Sequence, residues 1–230
     1  MTPARLPYMA ACILAAATAE AQAPNTLTAT ERASGWRLLF DGRTTAGWRG
    51  FRKQSIPSGW RVVDGALTRV GGGGDIITTQ KFKNFELALE WNIAPGGNSG
   101  VFYRASENDD IHWTAPEMQV LDDARHPDGR SRLTAAGANF GLHPAPAGIV
   151  KPAGQWNQAR LIVSGRHVEH WLNDVRVLQY ELWSPNWEVR VMKSKFAKHP
   201  LYGRNLEGYI GLQDHGDRVA YRSIKIRVLP

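Results

Sequence analysis

Several side chains able to move protons or hold charge fall at strand-like spacing in this 230-residue chain. Residues 208–216 read Gly-Tyr-Ile-Gly-Leu-Gln-Asp-His-Gly. In an extended chain Tyr209, Gly211, Gln213 and His215 point one way, and Ile210, Leu212 and Asp214 the other. One face is apolar; the other ends in an amide and an imidazole. The three glycines let a ligand or a second backbone come close. An imidazole can act as base, acid or metal ligand. The simpler alternative is a strand that runs into a polar turn.

A second group lies upstream. Glu117 and Gln119 are two apart and share a face, with Asp122 at the end of the same run. Arg104 has the parity of Gly100 and Phe102, on a run that follows Asn98-Ser99. A carboxylate and a guanidinium on neighbouring strands form either a structural ion pair or a polar site. Lys195 is either a stabiliser of developing negative charge or a solvated cation. His170 precedes Trp171 on a strand and reads as packed, while His126 and His143 fall in a loop-like stretch that could close over a ligand. The chain has nine Trp, and an indole face stacks well on the apolar C–H face of a pyranose. Trp113 and Trp183, near loops, are the platform candidates; Trp91 and Trp171 sit in apolar patterns and read as core. No His-Glu-x-x-His spacing is present, and a divalent ion held by scattered His, Glu and Asp side chains is left open.

The elements that must carry these groups are short strands. Residues 85–91 alternate Phe, Leu, Leu, Trp against Glu, Ala, Glu, the pattern of a half-buried strand. Residues 60–63 and 66–70 flank Asp64-Gly65, a hairpin signal. Further strands are expected at 36–40, 75–79, 99–105, 117–121, 159–163, 168–172, 175–177, 187–192, 209–213 and 219–228. The last loses its alternation near Arg222-Ser223, which predicts a bulge. Residues 122–155 are rich in Gly, Pro and Ala and read as a long excursion, and such loops are often functional. About a dozen strands without a convincing amphipathic helix predict an all-β antiparallel sandwich or jelly roll.

Composition bounds the rest. The net charge is +7, but the Lys and Arg are scattered, so no nucleic-acid stripe is expected. Arg5, an apolar run over 9–19 and Ala19-Glu20-Ala21 read as an export signal covering residues 1–21. That run is too short to span a bilayer, and the predicted location is periplasmic or extracellular. Met9-Ala10-Ala11-Cys12 only faintly resembles a lipoprotein box. Cys12 is the sole cysteine, so no disulfide framework holds the remainder. Residues 22–34 read as a flexible lead-in, and 35–230 as one domain.

Several of these segments, in order, resemble the 3-keto-disaccharide hydrolase family. They include Leu38-Leu39-Phe40-Asp41-Gly42 with Gly47-Trp48, and Trp60 with Asp64-Gly65-Ala66-Leu67. Then come 98–104 (Asn-Ser-Gly-Val-Phe-Tyr-Arg), 117–122 (Glu-Met-Gln-Val-Leu-Asp), Asn157 before His170-Trp171-Leu172-Asn173, Ser194-Lys195-Phe196, and 211–216 (Gly-Leu-Gln-Asp-His-Gly). The chain departs from the family pattern at Asp174, where Gly is usual, and in the segment 125–155. The resemblance implies a concanavalin-like jelly roll with a sugar site on its concave face, and a glycoside whose C3 hydroxyl has become a ketone.

That ketone would acidify the C2 proton. A base could remove it, the C1 substituent could leave by elimination, and water could add afterwards, a route distinct from two-carboxylate glycoside hydrolysis. Such a site needs a base, a stabiliser for the enolate oxygen and an acid for the leaving group. The candidates are Glu117, His215 and Lys195 for catalysis, and Asn98, Ser99, Arg104, Gln119, Asp122, Gln213 and Trp113 for binding a carbohydrate. A non-catalytic, lectin-like module on the same fold is the main rival, and an endoglucanase-like hydrolase using Glu117 and Asp122 a weaker one. The number of titratable groups favours an enzyme, since a lectin can manage with Asn, Asp and aromatics.

Overall fold

A computed structural model describes residues 22–230. The expected export signal, residues 1–21 with Cys12, lies outside the described residues. The strands, in chain order, are β1 (Arg37–Leu38), β2 (Trp48–Gly50), β3 (Trp60–Val63), β4 (Ala66–Arg69), β5 (Ile76–Phe82), β6 (Phe85–Ile93), β7 (Asn98–Ala105), β8 (Glu117–Leu121), β9 (Asn157–Ser164), β10 (His167–Leu172), β11 (Val175–Glu181), β12 (Gly208–Leu212) and β13 (Val219–Val228). Three short helices join them: α1 (Ala29–Ala33), α2 (Ile111–Thr114) and α3 (Pro185–Met192). One sheet runs β11-β10-β9-β6-β13-β4-β3, with β1 also paired to β13; the other runs β2-β5-β12-β7-β8. All pairings are antiparallel. The expected all-β sandwich is the observed one.

The core lies between the sheets. In β6, Phe85, Leu87, Leu89, Trp91 and Ile93 are buried, while Ala88, Glu90 and Asn92 are only partly covered. They share one cluster with Val101 and Tyr103 of β7, Met118 and Val120 of β8, and Ile210 and Leu212 of β12. Each such side chain contributes roughly 1.5–3 kcal/mol by leaving water. Their alternation settles the faces: residues of opposite parity on β7, β8 and β12 must turn to the outer side of the five-stranded sheet.

Turn chemistry fixes the register. Asp64 and Gly65 both have positive φ (50° and 72°), as a type I′ turn requires. The expected bulge in β13 is present: its pairing with β6 shifts between Arg222 and Lys225, and Ser223 has φ 52°.

Two expectations need correction. The lead-in 22–34 is anchored rather than flexible. The Asn25 side chain accepts from Ser223 N (2.8 Å) and donates to the Gly65 carbonyl (2.8 Å), joining bulge and hairpin. Thr28 and Glu31 close a capping box on α1, and Glu31 pairs with Lys225. Residues 187–192, read as a strand, are helical. Ser184 caps the Trp187 amide and Pro185 opens α3, a start signal that outweighs the apparent two-residue period. Trp187 and Val191, one turn apart, face the core.

The excursion 122–155 is irregular apart from one 3-10 turn (Pro127–Arg130). It covers the free edge of β8: Gln119 N donates to Ala138 O, Gly137 N to Gln119 O and Phe140 N to Glu117 O. An otherwise open edge is thereby paired. His170 is packed, as expected. Its Nδ1–H donates to Gly137 O (3.0 Å), its Nε2 accepts from the Tyr103 hydroxyl (3.1 Å), and burial pulls its pKa down to about 4. His143 stacks on Tyr180 behind the sheet; burial, with Arg190 adding to it, takes its pKa to about 3. Both are neutral packing groups.

Candidate active site

The polar outer face of the five-stranded sheet is centred on Gly100. Pairing of β7 with β8 sets Gly100 opposite Gln119 and Phe102 opposite Glu117. On the other flank, Gln213 N donates to Gly100 O (3.0 Å). Gly100 leaves a gap in the row between the two glutamines, and the Glu117 side chain lies across it. A Cβ at Gly100 would stand 2.6 Å from Glu117 Cδ and 2.8 Å from Cγ. Beyond, Phe102 joins Ile77, Ala105, Ile111 and Ala115 in a separate apolar cluster that seats α2 on the sheet.

A cavity of about 250 Å³ opens over this row. Six expected residues line it: Asn98, Glu117, Gln119, Lys195, Gln213 and His215. His112, Asp128 and Phe140 complete the wall. Two larger hollows, of about 700 and 520 Å³, lie on the outer face of the eight-stranded sheet and beside the excursion, and neither contains Glu117. Five of the nine residues lining the smaller cavity are titratable: His112, Glu117, Asp128, Lys195 and His215.

Its electrostatics are unusual. Glu117 is 7% exposed and its carboxyl makes no ion pair among the described residues. Burial pushes its pKa up to about 8, against the opposing pull of Lys195. Lys195 stands at the rim, its ammonium 4.4 Å from the centre of the Phe140 ring and 5.5 Å from that of Trp113. Desolvation pulls the Lys195 pKa down, while Glu117 and Asp128 hold it up. Burial, then the Lys195 charge, also lower His112. His215 is exposed at the mouth, its ring 6.2 Å from that of His126. His126 Nδ1 accepts from Asp128 N (3.1 Å), which orients the loop carrying Asp128. Among the described residues, no group of three or more His, Cys, Asp or Glu side chains is placed to hold a metal ion.

Three expected binding residues lie elsewhere. Arg104 does not meet Glu117. Its backbone turns left-handed (φ 51°), and its guanidinium donates to the carbonyls of Lys83 (2.8 and 3.0 Å) and Gly165 (2.8 Å). It tethers strand ends. Ser99 points into the sandwich and donates to Gln213 O (2.8 Å) beside the Tyr221 hydroxyl. Asp122 accepts from Gly96 N (2.7 Å) and Ala124 N (3.2 Å), holding the turn before β7. Trp113 flanks the cavity without lining it, stacked on His199 at 3.8 Å and 3°.

A family model for the 3-keto-alpha-glucoside-1,2-lyase-like domain matches residues 35–227. The chain belongs to this family. The 3-keto-disaccharide hydrolase of Bacteroides thetaiotaomicron is 41% identical over 230 residues, covering 86% of this chain and 79% of that one. A crystal structure from Parabacteroides distasonis, assigned as a glycosyl hydrolase, superposes with a TM-score of 0.85 at 31% identity over 90% of this chain and all of its own. A second from the same organism gives 0.66 at 28% identity over 84% and 99%. A carbohydrate-binding module from Bacillus subtilis shares the fold alone, with a TM-score of 0.50 at 12% identity. The match at 35–227 spans both sheets and, with them, every residue lining the cavity over Gly100.

Proposed function

We propose that this glycoside hydrolase acts on glycosides oxidised to a ketone at C3, by elimination followed by addition of water. The observation that carries this reading is the Glu117 carboxyl, buried over Gly100 with a pKa raised to about 8, in one cavity with Lys195 and His215. A carboxylate of raised pKa is a stronger base than an ordinary one, which suits a carbon acid. At pH 7 a group with that pKa is about one-tenth ionised, so the base form is accessible.

In the first step ionised Glu117 takes the C2 proton, and the C–H electron pair becomes an enolate on the C3 oxygen. Lys195, held over aromatic rings at the rim, supplies the opposing charge. The enolate then reforms the ketone as the C1–O bond breaks. The aglycone oxygen leaves with that electron pair and takes a proton from His215. Water adds next across the C1–C2 double bond: hydroxide to C1, the Glu117 carboxyl proton, exchanged with solvent water once the aglycone has left, to C2, and the second water proton to His215. The net result is hydrolysis, with both side chains restored.

The test is turnover of a 3-keto-disaccharide beside its unoxidised parent, run in deuterated water. The expected result is cleavage of the ketone alone, with deuterium at C2 of the sugar released early, above the level exchanged into authentic 3-keto sugar. Equal cleavage of the parent overturns the proposal. So does release of sugar that carries no C2 deuterium and shows no rate decrease when C2 of the substrate is deuterated, which together mark direct displacement at C1. The sequence pattern of residues 1–21 supports processing after Ala21 and action in the periplasm or outside the cell, which N-terminal sequencing of fractionated cells tests.

A further inference from the structure

Gln119 and Gln213 bracket Gly100 from opposite sides. Gln119 is its cross-strand partner on β8, and Gln213, just past β12, donates its backbone N–H to the Gly100 carbonyl (3.0 Å). Both side chains line the cavity over Glu117. The Oε1 atoms of both are buried and have no hydrogen-bond partner among the described residues. Gln119 is 1% exposed, and its Nε2 donates to Asn98 Oδ1 (3.4 Å), so the oxygen is the end left over. Buried polar atoms in folded proteins are nearly always paired, and an unpaired one calls for a physical reason. Two on either side of one glycine, in the wall of the cavity that holds the raised carboxyl, share one simple reason: a ligand that brings donors.

We propose that Gln119 and Gln213 select the sugar ring by accepting hydrogen bonds from its unreacting hydroxyls. This deepens the elimination reading and rests on it. An amide oxygen only accepts, so it repels an enolate oxygen, and the C3 oxygen therefore faces Lys195 instead. C2 must face Glu117. Of the three hydroxyls on a 3-keto-hexopyranoside, the one at C2 sits on the carbon that reacts beside Glu117, so those at C4 and C6 are the donors assigned to the glutamines. At about 250 Å³ the cavity is smaller than sites for drug-sized ligands, so the ring that carries the ketone occupies it alone. A sugar lacking the matching hydroxyl leaves an acceptor buried and unpaired, and such sites reject the deoxy analogue more strongly than they reject an added group.

The experiment compares a 3-keto-glucoside with its 4-deoxy and 6-deoxy analogues. kcat/KM is measured on the wild type, and Kd by calorimetry on Glu117→Gln, which binds without turning over. At least one analogue is expected to lose about 10- to 100-fold in both readouts. Gln119→Met and Gln213→Met remove one acceptor each at nearly constant volume. In one of them the parent sugar should fall to the level of the analogue, and the preference for that hydroxyl should vanish. Deoxy analogues that bind and react within about twofold of the parent on the wild type overturn the inference, whatever the variants do. So does a preference that survives unchanged in both variants. Failure of the elimination reading looks different: the unoxidised disaccharide is cleaved as fast as the ketone, or the C2–H bond stays intact during turnover, while calorimetry on the 3-keto-glucoside and its deoxy analogues still reports whether the glutamines read hydroxyls.

Discussion

Glu117 rests on Gly100: its carboxyl fills the space that a side chain on the opposing strand would take, with Cδ 2.6 Å from the position of a Cβ there. The contact explains why a strand inside a well-packed sheet carries a glycine at this point, where it lacks packing and adds flexibility. Gly100→Ala should swing the carboxyl away from the cavity floor. Overpacking of this kind costs roughly 1–3 kcal/mol, so the variant should fold. Its kcat/KM should drop at least about a hundredfold, the scale of losing a general base. Near-normal turnover in a folded Gly100→Ala protein, by activity beside a melting curve, would show that Glu117 need not lie there.

Glu117→Gln separates charge from shape. The folded pKa of about 8 lies above the ordinary value of 4.5, so folding favours the protonated form. That contribution is fully present below pH 4.5 and is lost as pH rises towards 8. Glutamine keeps the shape and cannot ionise. The variant should therefore be inactive yet melt higher than the wild type, with the gap widening from about pH 5 to pH 8 and reaching on the order of a few kcal/mol. Wild-type kcat/KM should meanwhile rise with pH through about 8, as the base form appears. A variant that melts lower at every pH would make Glu117 a structural residue.

Lys195 opposes the upward shift of Glu117. Lys195→Met removes that ammonium while keeping an apolar stem against Phe140 and Trp113. Two changes are expected together: a lower kcat, from loss of the charge facing the enolate, and an alkaline move of the kcat/KM profile, because Glu117 then titrates higher. A fall in kcat with an unmoved profile would uncouple the two groups.

Parity and turn chemistry made much of this legible from the residues alone. Alternation in 85–91 gave β6, Asp64-Gly65 gave the hairpin, and the slip at Arg222-Ser223 gave the bulge that Asn25 fills. The same count put Glu117 with Gln119 and Gln213 with His215, and all four line one cavity. It failed at Arg104, because counting by twos assumes a regular strand and φ 51° there breaks it. Asp122 looked available because nothing in the sequence reveals that the amides of Gly96 and Ala124 claim its oxygens. His112, Asp128 and Phe140 stand on a short helix and on the excursion, where no period points a side chain. Only the fold of that excursion along the β8 edge brings Asp128 and Phe140 over the sheet. The Ser184-Pro185 start of α3 was readable, and a two-residue pattern in 187–191 masked it.

His215 is exposed at the cavity mouth, where a departing aglycone must pass. If it protonates the leaving oxygen, its importance must depend on how badly that oxygen needs a proton. His215→Asn keeps a polar side chain of similar reach but has no proton to transfer as an acid. On an alkyl 3-keto-glycoside, whose alkoxide is a poor leaving group, turnover should fall by about a hundredfold or more. On the 4-nitrophenyl 3-keto-glycoside, whose phenolate leaves without help, the loss should be within a few-fold. Equal losses on both substrates would remove His215 from the acid role and leave it positioning the ring. Treatment with a chelator separates a third case: if it silences the wild type, added divalent metal restores it, and His215→Asn is not rescued, the imidazole is a metal ligand. A variant with normal turnover on both substrates would reduce 208–216 to a strand and its turn.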